Sequence, residues 1–343
     1  MKKFLLGLLV AFGLLAVVYA LGPRPDAPQE TYETPPLPTL LPVLEAQLKS
    51  EEAATPGLRP GCQARIVWAD SAKKGKTPYA LLYLHGFSAS PAGEGDPVAF
   101  NLARTFGCNL FLPRLAGHGV DLGDETMATL TTDEYLASAE RALAIAKHLG
   151  DTVLVVGTSA GGALTLWLAS RHPDIRAAVT YSPCIEIFDP NAKLIDDPWG
   201  LQLARLITGK KFNDIQNPVE AQKKYWTTHY RLEGVRMLQN FLTHDMTAET
   251  FGKVRCPVLL CYYYKNEQEQ DKVVSVPAML RMFDELGTPA PLKRKVNLPS
   301  TMRHEMASKY LSHDVAAVER ETERFLEQIV GLKPAVTPQL AVR

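Results

Sequence analysis

From Gln63 onward, short continuous apolar runs alternate with longer segments whose apolar residues recur at helical spacing. No other feature limits the fold as strongly. The runs of strand length are 63–69, 79–84, 109–112, 152–156, 177–181, 257–263 and 293–298. Between them, 96–106, 132–149 and 160–170 carry helical patterns; in 132–149, Tyr135, Leu136, Ala139, Leu143, Ile145 and Ala146 share one face, and Gly150 ends it. Parallel strands need crossovers and are buried on both faces. The alternation therefore predicts an α/β fold with a mostly parallel central sheet and helices on both sides.

The alternation breaks once, over 184–254, a stretch without convincing strands. Apolar helical spacing at 201–207, 221–230 and 235–241, broken by Pro198, Pro218 and Gly234, reads as an inserted helical cap. At the other end, Lys2 and Lys3 precede an apolar or glycine stretch from residue 4 to 21, and no charge follows until Arg24. As a helix, such a stretch rises about 27 Å, close to the thickness of a bilayer core. It is compatible with a transmembrane anchor or with a signal peptide cut after Ala20. In both cases the lysines hold the start in the cytosol, and the rest faces the periplasm or exterior. Residues 22–60 contain nine prolines and read as a linker, with room for one short helix lying on the domain at 39–52. That places the folded domain at 61–330 and a tail at 331–343.

Lysine plus arginine and aspartate plus glutamate both count 37, a balance that argues against a nucleic-acid binder, whose phosphate contacts need a basic surplus. Five cysteines in 343 residues make no disulfide framework, although one or two pairs stay open in an oxidising compartment. Nor is there a C-x-x-C pair to suggest a metal. No cofactor is expected.

Chemistry points to Gly157-Thr158-Ser159-Ala160-Gly161, which lies between an apolar run and a helical segment. A serine on such a turn is thrust outward, and the residues two before and two after must be small for the backbone to close. Ser159 is the candidate nucleophile. Its oxyanion hole needs backbone N–H donors. Ala160, at the positive end of the following helix, supplies one. His85-Gly86-Phe87 follows the 79–84 run, and Gly86 lets the chain turn so that the Phe87 N–H supplies the other. Of eight histidines, His304 stands just after the last strand, where a hydrolase of this topology carries its base. His85 and His118 read as local loop residues. The carboxylate partner belongs on the loop after 257–263, which offers Glu267, Glu269 and Asp271. Asp271 is preferred because Val273 and Val274 can dock on the core and fix it. Both glutamates lie in a polar run.

These motifs, with Pro113-Arg114-Leu115-Ala116-Gly117-His118-Gly119 and Asp271-Lys272-Val273-Val274, resemble the α/β-hydrolase superfamily over about residues 61–330. The similarity is to its monoacylglycerol lipase and carboxylesterase-like branch, which also holds serine aminopeptidase-like hydrolases. The order Ser159, Asp271, His304 is that superfamily's order. One departure is Tyr262-Tyr263-Tyr264-Lys265-Asn266-Glu267-Gln268-Glu269-Gln270, where the family usually has a short glycine-containing stretch. The resemblance implies a serine hydrolase cleaving small carboxylic esters through an acyl-enzyme on Ser159, without metal or cofactor; the N-terminal segment adds that it is tethered to a membrane or exported. With His304 as base, activity should fall below a pH near 6–7. An apolar cap, with Ile185, Ile187, Phe188, Trp199, Leu203, Trp226, Met237 and Phe241 available, favours an acyl or aromatic substrate. Two alternatives stand beside this. A peptidase or amidase of the same fold would hold a substrate amine on acids such as Glu186, Asp189 or Asp196. A non-catalytic envelope scaffold is the other, and the complete set of site residues argues against it.

Overall fold

Buried strands with alternating faces organise the molecule. A computed structural model describes residues 2–335, so residues 336–343 of the expected tail lie outside the described part. The chain opens with α1 (Lys2–Ala20) and α2 (Leu41–Ala53), followed by β1 (Arg65–Val67), β2 (Thr77–Leu84), α3 (Pro91–Glu94), α4 (Val98–Phe106) and β3 (Asn109–Leu112). Next come α5 (Thr132–Leu149), β4 (Gly150–Thr158), α6 (Ala160–Arg171) and β5 (Ile175–Tyr181). Seven strands form one sheet in the order β1-β3-β2-β4-β5-β8-β9, where β8 is Val258–Tyr262 and β9 is Lys293–Asn297. Only the edge pair β1–β3 is antiparallel. Side chains of β2 alternate: Ala80, Leu82 and Leu84 join the core under α5 and α6, while Leu81 and Tyr83 join the core under α4. A capping box starts α5, with Thr131 Oγ1 accepting from Glu134 N and Glu134 Oε2 accepting from Thr131 N at 3.0 Å.

Two expectations need correction. Residues 22–60 are not a simple spacer, and the fold does not begin near Gly61. Leu44 and Leu48, one helical turn apart on α2, are buried in the core. Glu52 of the same helix pairs with Arg114 at 2.8 Å and accepts from Ala64 N at 3.0 Å. Further upstream, Tyr32 lays its ring edge-on to Trp167 and donates to Asp133 at 2.8 Å. The short helix expected over 39–52 is α2, and its two core leucines and Glu52 bind the segment into the fold.

The insertion between β5 and β8 is likewise not strandless. It contains a 3₁₀ turn (Pro190–Asp196), α7 (Gly200–Thr208), β6 (Phe212–Asp214), α8 (Glu220–Tyr225), β7 (His229–Arg231), α9 (Leu232–Asp245) and α10 (Ala248–Lys253). β6 and β7 pair as an antiparallel ribbon, with Asn213 opposite Tyr230. The helix expected over 221–230 therefore stops at Tyr225. Gly234 does not break a helix; it lies inside α9. A side chain there would meet Met127 Sδ at 2.9 Å and the Phe87 ring at 3.3 Å, so glycine permits α9 to cross close above the Phe87 loop. After β8 come α11 (Val276–Glu285), β9 and α12 (Val315–Phe325), whose Val318 and Phe325 pack beside Leu81 and Tyr83.

Because α1 is unburied, deleting residues 1–21 should leave the melting temperature within about 2 °C of the full chain. Deleting residues 1–60 also removes two buried leucines, each costing about 2–5 kcal/mol when truncated. That chain should melt at least about 10 °C lower or fail to accumulate in soluble form. Thermal unfolding of the two truncations side by side checks this, and equal melting temperatures would contradict the role given to α2.

Candidate active site

Strand β4 ends at Thr158 and α6 begins at Ala160, leaving Ser159 alone to turn the chain. Its backbone sits at φ 56°, ψ −120°, a region that residues with a Cβ rarely adopt. Three backbone bonds hold it there: Ser159 N donates to Tyr181 O at 2.9 Å, and Ser159 O accepts from Ala163 N at 3.0 Å and Cys184 N at 2.9 Å. Both glycines of the motif are sterically required. A Cβ on Gly157 would lie 2.2 Å from Gly161 O, and one on Gly161 would lie 2.0 Å from Leu84 O.

Ser159 and His304 line one cavity of about 450 Å³ together with Phe87. His304 Nδ1 lies 2.7 Å from Asp271 Oδ2. The other oxygen of Asp271 accepts from Val273 N at 2.9 Å and Val274 N at 3.1 Å, so the carboxylate is held from both sides. Glu267 and Glu269 stay away from the imidazole. Glu267 accepts from Tyr264 Oη at 2.9 Å, and Glu269 pairs with Lys265 at 2.9 Å. Burial opposes a charged His304, but the Asp271 carboxylate outweighs it, and Glu305 and Glu94 act in the same direction. The imidazolium is therefore favoured well above the ordinary imidazole range. Asp271 is held below the usual carboxylate range: burial works against this, and the facing His304 overcomes it.

The loop after β2 is shaped by a second, neutral histidine. His85 is fully buried, and burial pushes its pKa down to about 3. Its Nε2 accepts from Leu115 N at 3.2 Å, which makes Nδ1 the N–H that donates to Gly86 O at 2.9 Å. His118 is also buried, its pKa lowered to about 4 by burial, and its Nδ1 lies 2.7 Å from Ala116 O. Among the described residues, Phe87 N donates to no protein group. Ala160 N occupies the first position of α6, where an N–H lacks an intrahelical partner. Phe87 and Ser159 line the same cavity, and Ala160 directly follows the serine.

The cavity walls differ from the sequence expectation. Of the eight apolar cap residues named above, Ile187 and Trp226 line it. Ile185, Met237 and Phe241 are buried in the core, while Phe188, Trp199 and Leu203 are exposed on the outer surface. Tyr230, Val235 and Leu238 supply apolar wall instead. The acids considered for an amine site are engaged elsewhere: Glu186 pairs with Arg281 and Lys193, Asp189 caps the 3₁₀ turn at Asn191 N, and Asp196 accepts from Asn240. Two acids that sequence reasoning missed, Glu94 and Glu305, line the cavity. The adjacency of Glu305 to His304 was a usable signal; nothing in the Pro91-Ala92-Gly93-Glu94 run marks Glu94. All five cysteines are unpaired.

A family model described as "Alpha/beta hydrolase family" matches residues 81–318. The chain belongs to that family. Within this hydrolase family, it is 31% identical over 183 residues to a thermostable monoacylglycerol lipase of Bacillus sp. (strain H-257), covering 53% of this chain and 68% of the relative. A structure of the metagenome-derived lipolytic enzymes LipS and LipT shares its fold at TM-score 0.60 and 20% identity, over 79% of this chain and 99% of that one. A monoacylglycerol lipase from Paleococcus ferrophilus does so at TM-score 0.53 and 15% identity, over 79% and 98%. The hydrolase is of the lipase and esterase type. Its apolar N-terminal helix has an 18-residue window of mean hydropathy 2.2 that is nowhere buried, a property shared by anchors and signal peptides.

Titration of the His304 ring by NMR should place its pKa above 6.5, and Asp271→Asn should lower it markedly, because burial is then opposed only by Glu305 and Glu94. An unchanged pKa in the variant would show that Asp271 does not govern the imidazole.

Proposed function

We propose that this hydrolase cleaves carboxylic esters through an acyl-enzyme on Ser159. The observation that carries the reading is Ser159 on a strained turn, sharing a cavity with His304 while Asp271 occupies the far nitrogen of that imidazole. His304 Nε2 takes the hydroxyl proton as Ser159 Oγ attacks the ester carbonyl. Phe87 N–H and Ala160 N–H hold the resulting oxyanion. Collapse breaks the C–O bond, and the alcohol leaves with the proton from His304. Water then attacks the acyl-enzyme, giving its proton to His304, and the carboxylic acid departs as Ser159 is restored. Asp271 keeps the imidazole in the required tautomer and stabilises its charged form.

A monoacylglycerol or similar acyl ester is the substrate class we favour. The similarity to a monoacylglycerol lipase supports it, as does the apolar wall of Ile187, Ile215, Trp226, Val235 and Leu238. Each acyl methylene buried there contributes about 0.8 kcal/mol. We place α1 in or across a membrane, as anchor or leader, with the catalytic domain on the far side from the cytosol. N-terminal sequencing of membrane and soluble fractions separates the two: an intact N-terminus in the membrane fraction is an anchor, and a start at Leu21 is a cleaved leader. An intact chain in the cytosol would contradict both.

With p-nitrophenyl esters of rising chain length, Ser159→Ala should lower kcat by about 10⁶, as nucleophile loss does in subtilisin. Asp271→Asn should lower it by about 10⁴, and Glu267→Gln and Glu269→Gln should stay within about tenfold of wild type. A Ser159→Ala enzyme retaining a tenth of wild-type turnover would refute the mechanism. The base works only when neutral, so kcat/KM should fall as pH drops through the raised His304 pKa. That moves the acid limb above the 6–7 expected from an unperturbed histidine.

A further inference from the structure

We propose that Glu94 is a positioning residue of the acyl-transfer site, fastening the loop that presents the Phe87 N–H. The inference rests on the ester-hydrolase reading above. Glu94 closes the short helix α3, is 2% exposed, and accepts from Gly86 N through Oε2 at 2.6 Å. Gly86 immediately precedes Phe87, so this bond fixes the peptide whose neighbour donates into the cavity. The space is tight. A Cβ on Gly86 would lie 3.0 Å from Glu94 Oε1 and 3.2 Å from Ser159 Cβ, so even a methyl group there would press on both the carboxyl and the nucleophile.

The turn bearing Glu94 is in turn tied to the histidine loop. Ser308 Oγ donates to Gly93 O at 2.7 Å, and Ser308 forms a bridge with Pro97. Trp226 of the cap closes the other side, 2.8 Å from where a Gly93 Cβ would stand. Glu94 therefore joins the oxyanion loop to the segment carrying His304. Its Oε1 has no protein partner among the described residues, and the residue lines the cavity.

The charge state suits the role. Burial pushes the Glu94 pKa up to about 8, against the Gly86 hydrogen bond and His304, with Glu305 adding to the rise. At neutral pH the carboxyl holds the loop without setting a full negative charge against a developing oxyanion. The titratable groups facing it are Tyr83 of β2, Tyr135 of α5, and His304 and Glu305 after β9; Lys272 lines the same cavity, and His85 beside it is neutral. Glu94 and His304 influence each other's protonation, so losing the acid must let His304 deprotonate at lower pH.

Steady-state kinetics on p-nitrophenyl butyrate across pH, with the full chain, tests this. Glu94→Ala should lower kcat about 10- to 100-fold with KM changed less than about threefold, short of the 10²–10³ for outright loss of an oxyanion donor. Glu94→Gln keeps an acceptor for Gly86 N–H. It should restore kcat to within about threefold of wild type, yet move the acid limb of kcat/KM down by about half a pH unit or more. A Glu94→Ala enzyme within twofold of wild-type kcat overturns the proposal. So does a Glu94→Gln enzyme as slow as the alanine variant, or one whose limb has not moved; the glutamine variant decides the matter if the alanine variant does not fold. Ser159→Ala, run in parallel, separates the two levels. If it is inactive while both Glu94 variants behave as wild type, only the role of Glu94 fails; if it is fully active, the reading of the site fails.

Discussion

The close crossing of β2 and α6 is the constraint on which the rest of the site depends. Gly161 brings the first turn of α6 against Leu84 O, where any Cβ would stand 2.0 Å away. That contact sets Ser159 directly beside the end of β2, so the loop leaving β2 emerges next to the serine. Phe87, three residues beyond Leu84, then lines the same cavity as Ser159. The strain at Ser159, in the left-handed half of backbone space, is held by bonds from Tyr181 and Cys184, which lie at and just beyond the end of β5. Gly234 repeats the logic from above, letting α9 approach the Phe87 ring.

Electrostatically, the site is a mostly neutral interior around one ion pair. His85 and His118 are kept uncharged by burial, and Glu94 is kept protonated near neutral pH by the same cause. Only His304 is pushed the other way, because Asp271 sits 2.7 Å from its Nδ1 with two backbone N–H groups behind it. The same desolvation that silences three groups strengthens that pair.

Most of the sheet could be read from sequence because fully buried parallel strands are continuous apolar runs. The runs at 79–84 and 109–112 fall within or on β2 and β3. Gly157 and Gly161 were legible for the same steric reason that the structure displays. The preference for Asp271 over its neighbours rested on Val273 and Val274, whose backbone N–H groups bind that carboxylate, although the contact is through main chain and no pattern of residue types encodes it. What escaped is equally instructive. Two leucines on α2 were masked by surrounding prolines, and three-residue strands such as β6 and β7 are too short for alternation to show. Glu94 escaped because it is joined to the site by a backbone bond and by burial, neither of which leaves a mark in spacing. The cap residues were misplaced because helical periodicity tells which face is apolar, not whether it meets the core, the cavity or the outer surface.

The most direct test is to label the purified protein with a fluorophosphonate and locate the adduct by peptide mass spectrometry. A single stoichiometric adduct on Ser159, lost in Ser159→Ala and suppressed by an acyl ester substrate, is the predicted result. An adduct on another residue, or none on a folded protein, would contradict acyl transfer through Ser159.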